Sequence, residues 1–202
     1  MKAKNTTALV RLALLTALEL VMAYTPLGYL RTPGLEITFL MIPVVLGAVL
    51  MGPAAGAFLG GVFGLTSFGT CFGTSAFGAA LLAINPVGTF ITCVAARVLA
   101  GWLCGLCYRA LSRSHRPGGA VLWLATLIGP LLNTVFFMTG LVLFFYRTDY
   151  IQSFVSAMGA ANPFVFAVMF VGLQGLLEAA VCCVVSALVA KALLAYLKRG
   201  KA

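Results

Sequence analysis

The sequence predicts an all-α membrane protein, a single bundle of six transmembrane helices with both termini on the cytoplasmic side. Three observations carry that expectation. Of the 202 residues, 62% are hydrophobic and only 8% charged, and the mean hydropathy of +1.11 exceeds what a water-soluble domain carries. Apolar runs separated by turn signals fall at roughly 7–28, 38–51, 54–68, 87–111, 121–146 and 164–197. Positive residues collect at alternate ends of those runs: Lys2, Lys4, Arg11, Arg109, Arg113, Arg116, Lys191, Lys198, Arg199 and Lys201 fall on one side, Arg31 and Arg147 on the other. Cytoplasmic loops hold the positive excess, so the first group lies inside.

The first run opens on lysines and passes Val21-Met22-Ala23, which has the look of a signal-peptidase site. Arg11 and Glu19 interrupt it, and its removal would reverse the charge asymmetry of everything downstream, so the helix is expected to stay. Ala13 and Ala17 form a small-xxx-small pair, and Glu19 lies about 200° round the helix from Ala17. A smooth face is thus available to a neighbouring helix or protein, with Glu19 turned to the bundle interior.

Between the first two helices, residues 31–36 are expected to form an outer lid. The second and third runs are short for a bilayer, which needs about 20 apolar residues per helix. They meet at Gly52-Pro53 as a tight hairpin. Gly52, Gly56, Gly60 and Gly64 recur at four-residue spacing, slightly more than one helical turn, forming a seam where another backbone can come close. Residues 68–82, rich in Gly, Phe and Thr, read as a partly buried outer loop.

Asn85-Pro86 and Asn162-Pro163 each open a helix, with Asn as N-cap and Pro at the first helical position. Both starts face outward, and with Arg147 they make the outer mouth attractive to an anion. In the fourth helix Cys93, Arg97, Gly101, Cys104 and Tyr108 share a face. A permanently charged, forked donor at Arg97 suits a carboxylate or phosphate; the competing reading is an internal ion pair with Glu19 or Glu178. In the fifth helix Gly129, Asn133, Phe137 and Gly140 share a face, setting an amide beside an aromatic surface. That suits a polar organic ligand, or equally an interhelical hydrogen bond worth about 1 kcal/mol. In the sixth, Gly172, Gly175, Glu178 and Cys182 align. Glu178 lies 15 residues below the helix start, about 22 Å at the helical rise, and is expected to balance charge with Glu19 rather than to touch ligand.

Several function classes are excluded or disfavoured. No phosphate-binding Gly-x-x-x-x-Gly-Lys-Ser/Thr loop, His-Glu helix motif or Gly-x-Ser-x-Gly elbow is present, so no enzymatic activity, ATP hydrolysis included, is expected of the chain itself, and no cofactor. Cys104-x-x-Cys107 has metal-like spacing, but the sole histidine is His115 and no second ligand pair accompanies it; the cysteines read as small packing residues, with no metal. The formal charge of +9 is a topology signal with some attraction to anionic lipid, and no basic face outside the membrane is large enough for nucleic acid.

From Leu12 to Leu194 the chain resembles the substrate-binding S components of energy-coupling factor (ECF) vitamin transporters. The residues that carry the resemblance are Ala13-x-x-x-Ala17, Ile37-Thr38, Ile42-Pro43-Val44, Gly52-Pro53-x-x-Gly56-Ala57-x-x-Gly60, Phe63-Gly64-Leu65-x-Ser67, Arg97, Asn133-Thr134 and Glu178. Within that family it is most similar to the pantothenate type.

The resemblance implies a plasma-membrane protein of a prokaryote that captures a vitamin near its outer surface through the first outer loop and the outer parts of helices four to six. It also implies docking through Ala13 and Ala17 onto a transmembrane coupling subunit that works with two ATPase subunits, and toppling of the S component when ATP is used. Joined to the residue reading, it gives Arg97, Asn133, Arg31, Thr38, Asn85, Phe137 and Arg147 as expected ligand contacts, and pantothenate or a related small carboxylate as the ligand. Other vitamins of the family (folate, riboflavin, a queuosine precursor) and a solitary gradient-driven carrier are the alternatives.

Overall fold

The computed structural model describes residues 2–25, 28–31, 36–114 and 119–199. Helix α1 runs Lys2–Ala23, ending earlier than the apolar run because Tyr24 and Thr25 lead to a proline at 26, which disfavours helix in the residue before it. A two-stranded antiparallel hairpin follows, β1 (Tyr29–Arg31) and β2 (Glu36–Thr38), pairing Tyr29 with Thr38, Leu30 with Ile37 and Arg31 with Glu36. The second helical run was expected from residue 38. Ile37 and Thr38, β-branched, pair as strand instead, and α2 begins at Met41. Of the expected lid, residues 32–35 lie outside the described residues.

Helices α2 (Met41–Met51) and α3 (Pro53–Thr70) form the hairpin around Gly52. Gly52 has φ 104°, a conformation open to glycine and strained for other residues, and Pro53 pre-sets the first turn of α3. α2 lies at the centre of the bundle: residues from Met41 to Val49 are almost all buried, packed with Leu59, Phe63, Ala100 and Cys104. In place of the expected loop over 68–82, α3 continues to Thr70 and a short helix α4 (Ala76–Ile84) follows, capped by Ser75 accepting the Gly78 N–H at 3.3 Å.

The fourth apolar run comprises α5 (Pro86–Phe90), one stretch of π-helix (Ile91–Ala95) and α6 (Ala96–Ser114). α6 packs against α3 along the glycines of both helices. A Cβ on Gly64 would stand 2.7 Å from Val94 Cα, and one on Gly105 2.6 Å from Pro53 Cα; side chains at Gly56 and Gly60 would meet the carbonyls of Gly101 and Arg97. Only bare backbone fits there, so the glycines fix how deep α6 sits and therefore where Arg97 is delivered.

Helix α7 spans Gly119–Phe145 with Pro130 inside it. A further amphipathic helix, α8 (Asp149–Met158), starts at Thr148, whose hydroxyl accepts from Ile151 N–H, and ends at Gly159 with φ 64°. Helix α9 (Pro163–Arg199) is broken at Gly172, and its first part makes an angle of 77° with α8. A second, aromatic-rich cluster ties these elements together through Leu141, Phe145, Ile151, Phe166 and Phe170.

Among the described residues four helices are long and apolar enough to cross a membrane, within Thr6–Ala23, Pro86–Arg113, Gly119–Phe145 and Gln174–Tyr196, or five if the bent α8–α9 pair counts as one span. Apart from the small hairpin the described elements are helical, and by length and composition their spans are those of a multi-pass membrane protein. α1 turns an apolar face outward, with Leu9, Val10, Leu14, Leu18 and Val21 exposed beside Ala13 and Ala17.

Candidate functional site

A cavity of about 120 Å³ is walled by β1, β2, α3, α4, the π-helical turn and its flanks, α7 and α9. Its principal charge is Arg97, of which only 6% is exposed. The guanidinium folds back along its own helix, and Nη1 donates to the carbonyls of Thr92 at 3.2 Å and Cys93 at 2.9 Å. Both carbonyls belong to the π-helical turn, whose wider spacing leaves acceptors for a side chain to claim. The rings of Phe63 and Phe137 lie 4.7 Å and 5.3 Å from the guanidinium carbon, a cation–π contact on each.

Held in that way, Arg97 is aimed but not satisfied: its Nε is buried with no hydrogen-bond partner. Among the described residues no ion pair joins Arg97 to Glu19 or Glu178. Two other orphaned atoms share the cavity wall, Asn133 Oδ1, an acceptor, and Thr92 Oγ1, which can donate or accept. Orphaned buried polar atoms each cost about 1–3 kcal/mol. Three of them on one wall match a ligand that brings an acceptor, a donor and a hydroxyl-compatible group.

Thr38 and Glu178 join within the cavity wall: the Thr38 N–H donates to Glu178 Oε2 at 3.2 Å, while the Thr38 hydroxyl accepts from Leu40 N–H at 3.3 Å. One carboxylate of α9 thereby anchors the end of the β-hairpin. Glu19 is fully buried in α1, outside the cavity wall, and neither of its oxygens has a hydrogen-bond partner.

Of the residues expected to meet ligand, the cavity brings together Arg97, Asn133, Thr38 and Phe137. Asn85 is not in its wall; its Oδ1 accepts the Gly88 N–H at 2.9 Å and caps α5. Arg147 is exposed between α7 and α8, also outside the wall. Arg31 closes β1, with its side chain outside the described residues. Glu178, expected to balance charge, is part of the wall.

Further polar residues of the lining were not among the expected ligand contacts, notably Ser67 and Thr70 of α3, Thr89 and Thr92 around the π-helical turn, and Gln174 of α9. A signal for them existed in the sequence. Ser67 and Thr70, and Thr89 and Thr92, are three apart, and Gln174 and Glu178 four apart, so each pair stacks on one face of an otherwise apolar helix.

Residues 7–190 match the family described as ECF transporter, substrate-specific component. The pantothenate transporter PanT of Leuconostoc mesenteroides subsp. mesenteroides is 32% identical over 132 residues, covering 64% of this chain and 62% of that protein. The similarity thus spans less than two thirds of that relative's length.

Proposed function

The chain belongs to the substrate-specific components of ECF transporters, and from that premise we propose that it is a vitamin-capturing S component whose ligand is pantothenate or a closely related small carboxylate. The observation that carries this reading is the unpartnered Nε of Arg97, whose guanidinium contacts two aromatic rings, on one cavity wall with the orphaned Oδ1 of Asn133. A carboxylate on the Nε edge of Arg97 forms charge-assisted hydrogen bonds in a place where water is scarce. Asn133 Oδ1 accepts a hydroxyl or amide N–H of the same molecule. Phe137 covers the apolar middle, and the β-hairpin closes over it through Thr38. The similarity to a pantothenate transporter supports the choice of vitamin.

In the membrane, α1, α2, α3, the α5–α6 unit, α7 and α9 make six crossings, with both termini cytoplasmic and the cavity open toward the outside. Arg31 and Arg147 lie at the outer mouth and steer anions toward it. The exposed Ala13 and Ala17 on α1 receive the coupling subunit, and two ATPases supply the energy in the plasma membrane of a prokaryote.

Calorimetric titration of the purified protein tests the ligand assignment. Pantothenate is expected to bind tightly and panthenol, the alcohol that lacks the carboxylate, far more weakly. Arg97→Ala should weaken pantothenate roughly 10- to 100-fold and leave panthenol little changed. Equal loss for both ligands would make Arg97 a folding residue and contradict the assignment.

A further inference from the structure

Glu178 has a second role available to it. Its side chain is 8% exposed, it is part of the cavity wall, and only one of its oxygens is engaged, Oε2 with the Thr38 N–H. Among the described residues Oε1 accepts no hydrogen bond. Arg97 is part of the same wall, yet the two do not pair. Opposite charges held short of contact in one buried cavity keep only part of the attraction that would offset their desolvation. A molecule lying between them recovers the rest when it presents an anion to one and a hydrogen-bond donor to the other. A ligand with an anion alone would meet repulsion from Glu178.

We propose that Glu178 is a specificity-determining residue that accepts a hydrogen bond from a hydroxyl of the bound ligand while its other oxygen holds the β-hairpin through Thr38. The ligand class is then a hydroxylated carboxylate, with the anion at Arg97 and the hydroxyl end at Glu178. This rests on the reading of the cavity as the vitamin site. Because the same carboxylate touches ligand and hairpin, the hydroxyl end of the ligand sits where the hairpin is anchored.

The test is a double-mutant cycle between protein and ligand, read by titration of the detergent-purified chain. The ligands are pantothenate and its dideoxy analogue N-(3,3-dimethylbutanoyl)-β-alanine, which keeps the carboxylate and amide but has neither hydroxyl. The variant is Glu178→Gln, whose amide oxygen can still accept the Thr38 N–H while its neutral NH₂ replaces the charged acceptor offered to the ligand hydroxyl, leaving a weaker hydrogen bond of reversed direction.

Wild type is expected to bind the analogue roughly tenfold or more weakly than pantothenate. Glu178→Gln should lose a similar factor for pantothenate and little further for the analogue. If the variant loses the same factor for both ligands, Glu178 only holds the hairpin and the inference is overturned. A wild type that does not distinguish the two ligands overturns it without any variant. A wild type that binds neither pantothenate nor the analogue overturns the vitamin assignment and this inference together. Should Glu178→Gln not survive purification, Glu178→Asp, with the carboxylate drawn back by one methylene, takes its place in the same cycle and must show the same non-additive loss.

Discussion

At the scale of single residues, the account turns on hydrogen-bonding capacity left unused inside a bundle. Asn133 illustrates it: Oδ1 is buried on the cavity wall without a partner, so in the empty protein the amide contributes less than its burial costs. Replacing it by Leu removes that cost along with the ligand contact. Asn133→Leu is therefore expected to raise the thermal unfolding temperature of the unliganded protein, or leave it unchanged, while weakening pantothenate by roughly tenfold in titration. A fall in unfolding temperature with unchanged affinity would make Asn133 a packing amide. Arg97 and Asn133 were legible in the sequence because charged and amide side chains are rare in apolar helices. The hydroxyls of Ser67, Thr70, Thr89 and Thr92 gave a weaker signal, through spacing alone, because Ser and Thr can satisfy themselves on their own helix, as Thr70 does on the Ser67 carbonyl at 2.7 Å and Thr89 on that of Asn85 at 2.9 Å.

At the scale of elements, glycines decide where the site stands. α3 and α6 meet backbone to backbone, and a Cβ at Gly60 would collide with the Arg97 carbonyl, whereas one at the adjacent Gly61 would meet only Val98 Cγ2 at 3.6 Å, an ordinary contact. Gly60→Ala should therefore destabilise the protein by about 1–3 kcal/mol and displace Arg97, lowering affinity as well. Gly61→Ala should be neutral or slightly stabilising, because Ala favours helix over Gly by about 1 kcal/mol. Thermal unfolding and titration of the two variants side by side check this, and equal behaviour would remove the glycine seam from the account. The four-residue glycine repeat was readable, since period alone reveals it. The β-hairpin and α4 were not: three-residue strands and a helix of 9 residues leave too little periodicity, and tertiary contacts select them; α8 is periodic, but its 10 residues are too few to count as a span. The π-helical turn that feeds two carbonyls to Arg97 has no sequence signature of its own.

At the scale of the whole molecule, the proposed ligand cavity and the proposed docking face on α1 involve separate residues. Ala13 and Ala17 are exposed among apolar neighbours, so a bulky side chain there disturbs little inside the bundle. Ala13→Trp or Ala17→Trp is expected to abolish uptake in cells that supply the coupling subunit and ATPases, with titrated affinity for pantothenate unchanged; lost binding would show that this face supports the bundle instead. The number of crossings was harder to read than the fold class, because α2, with 11 residues, is shorter than a bilayer requires and lies buried among its neighbours, where hydropathy reports a protein core as readily as a membrane. Capture of a small carboxylate is the claim on which everything else depends, and native mass spectrometry of the chain purified in mild detergent tests it most directly. The account predicts a retained adduct of pantothenate mass that Arg97→Ala abolishes. A protein that emerges empty and binds no member of a vitamin panel would contradict it.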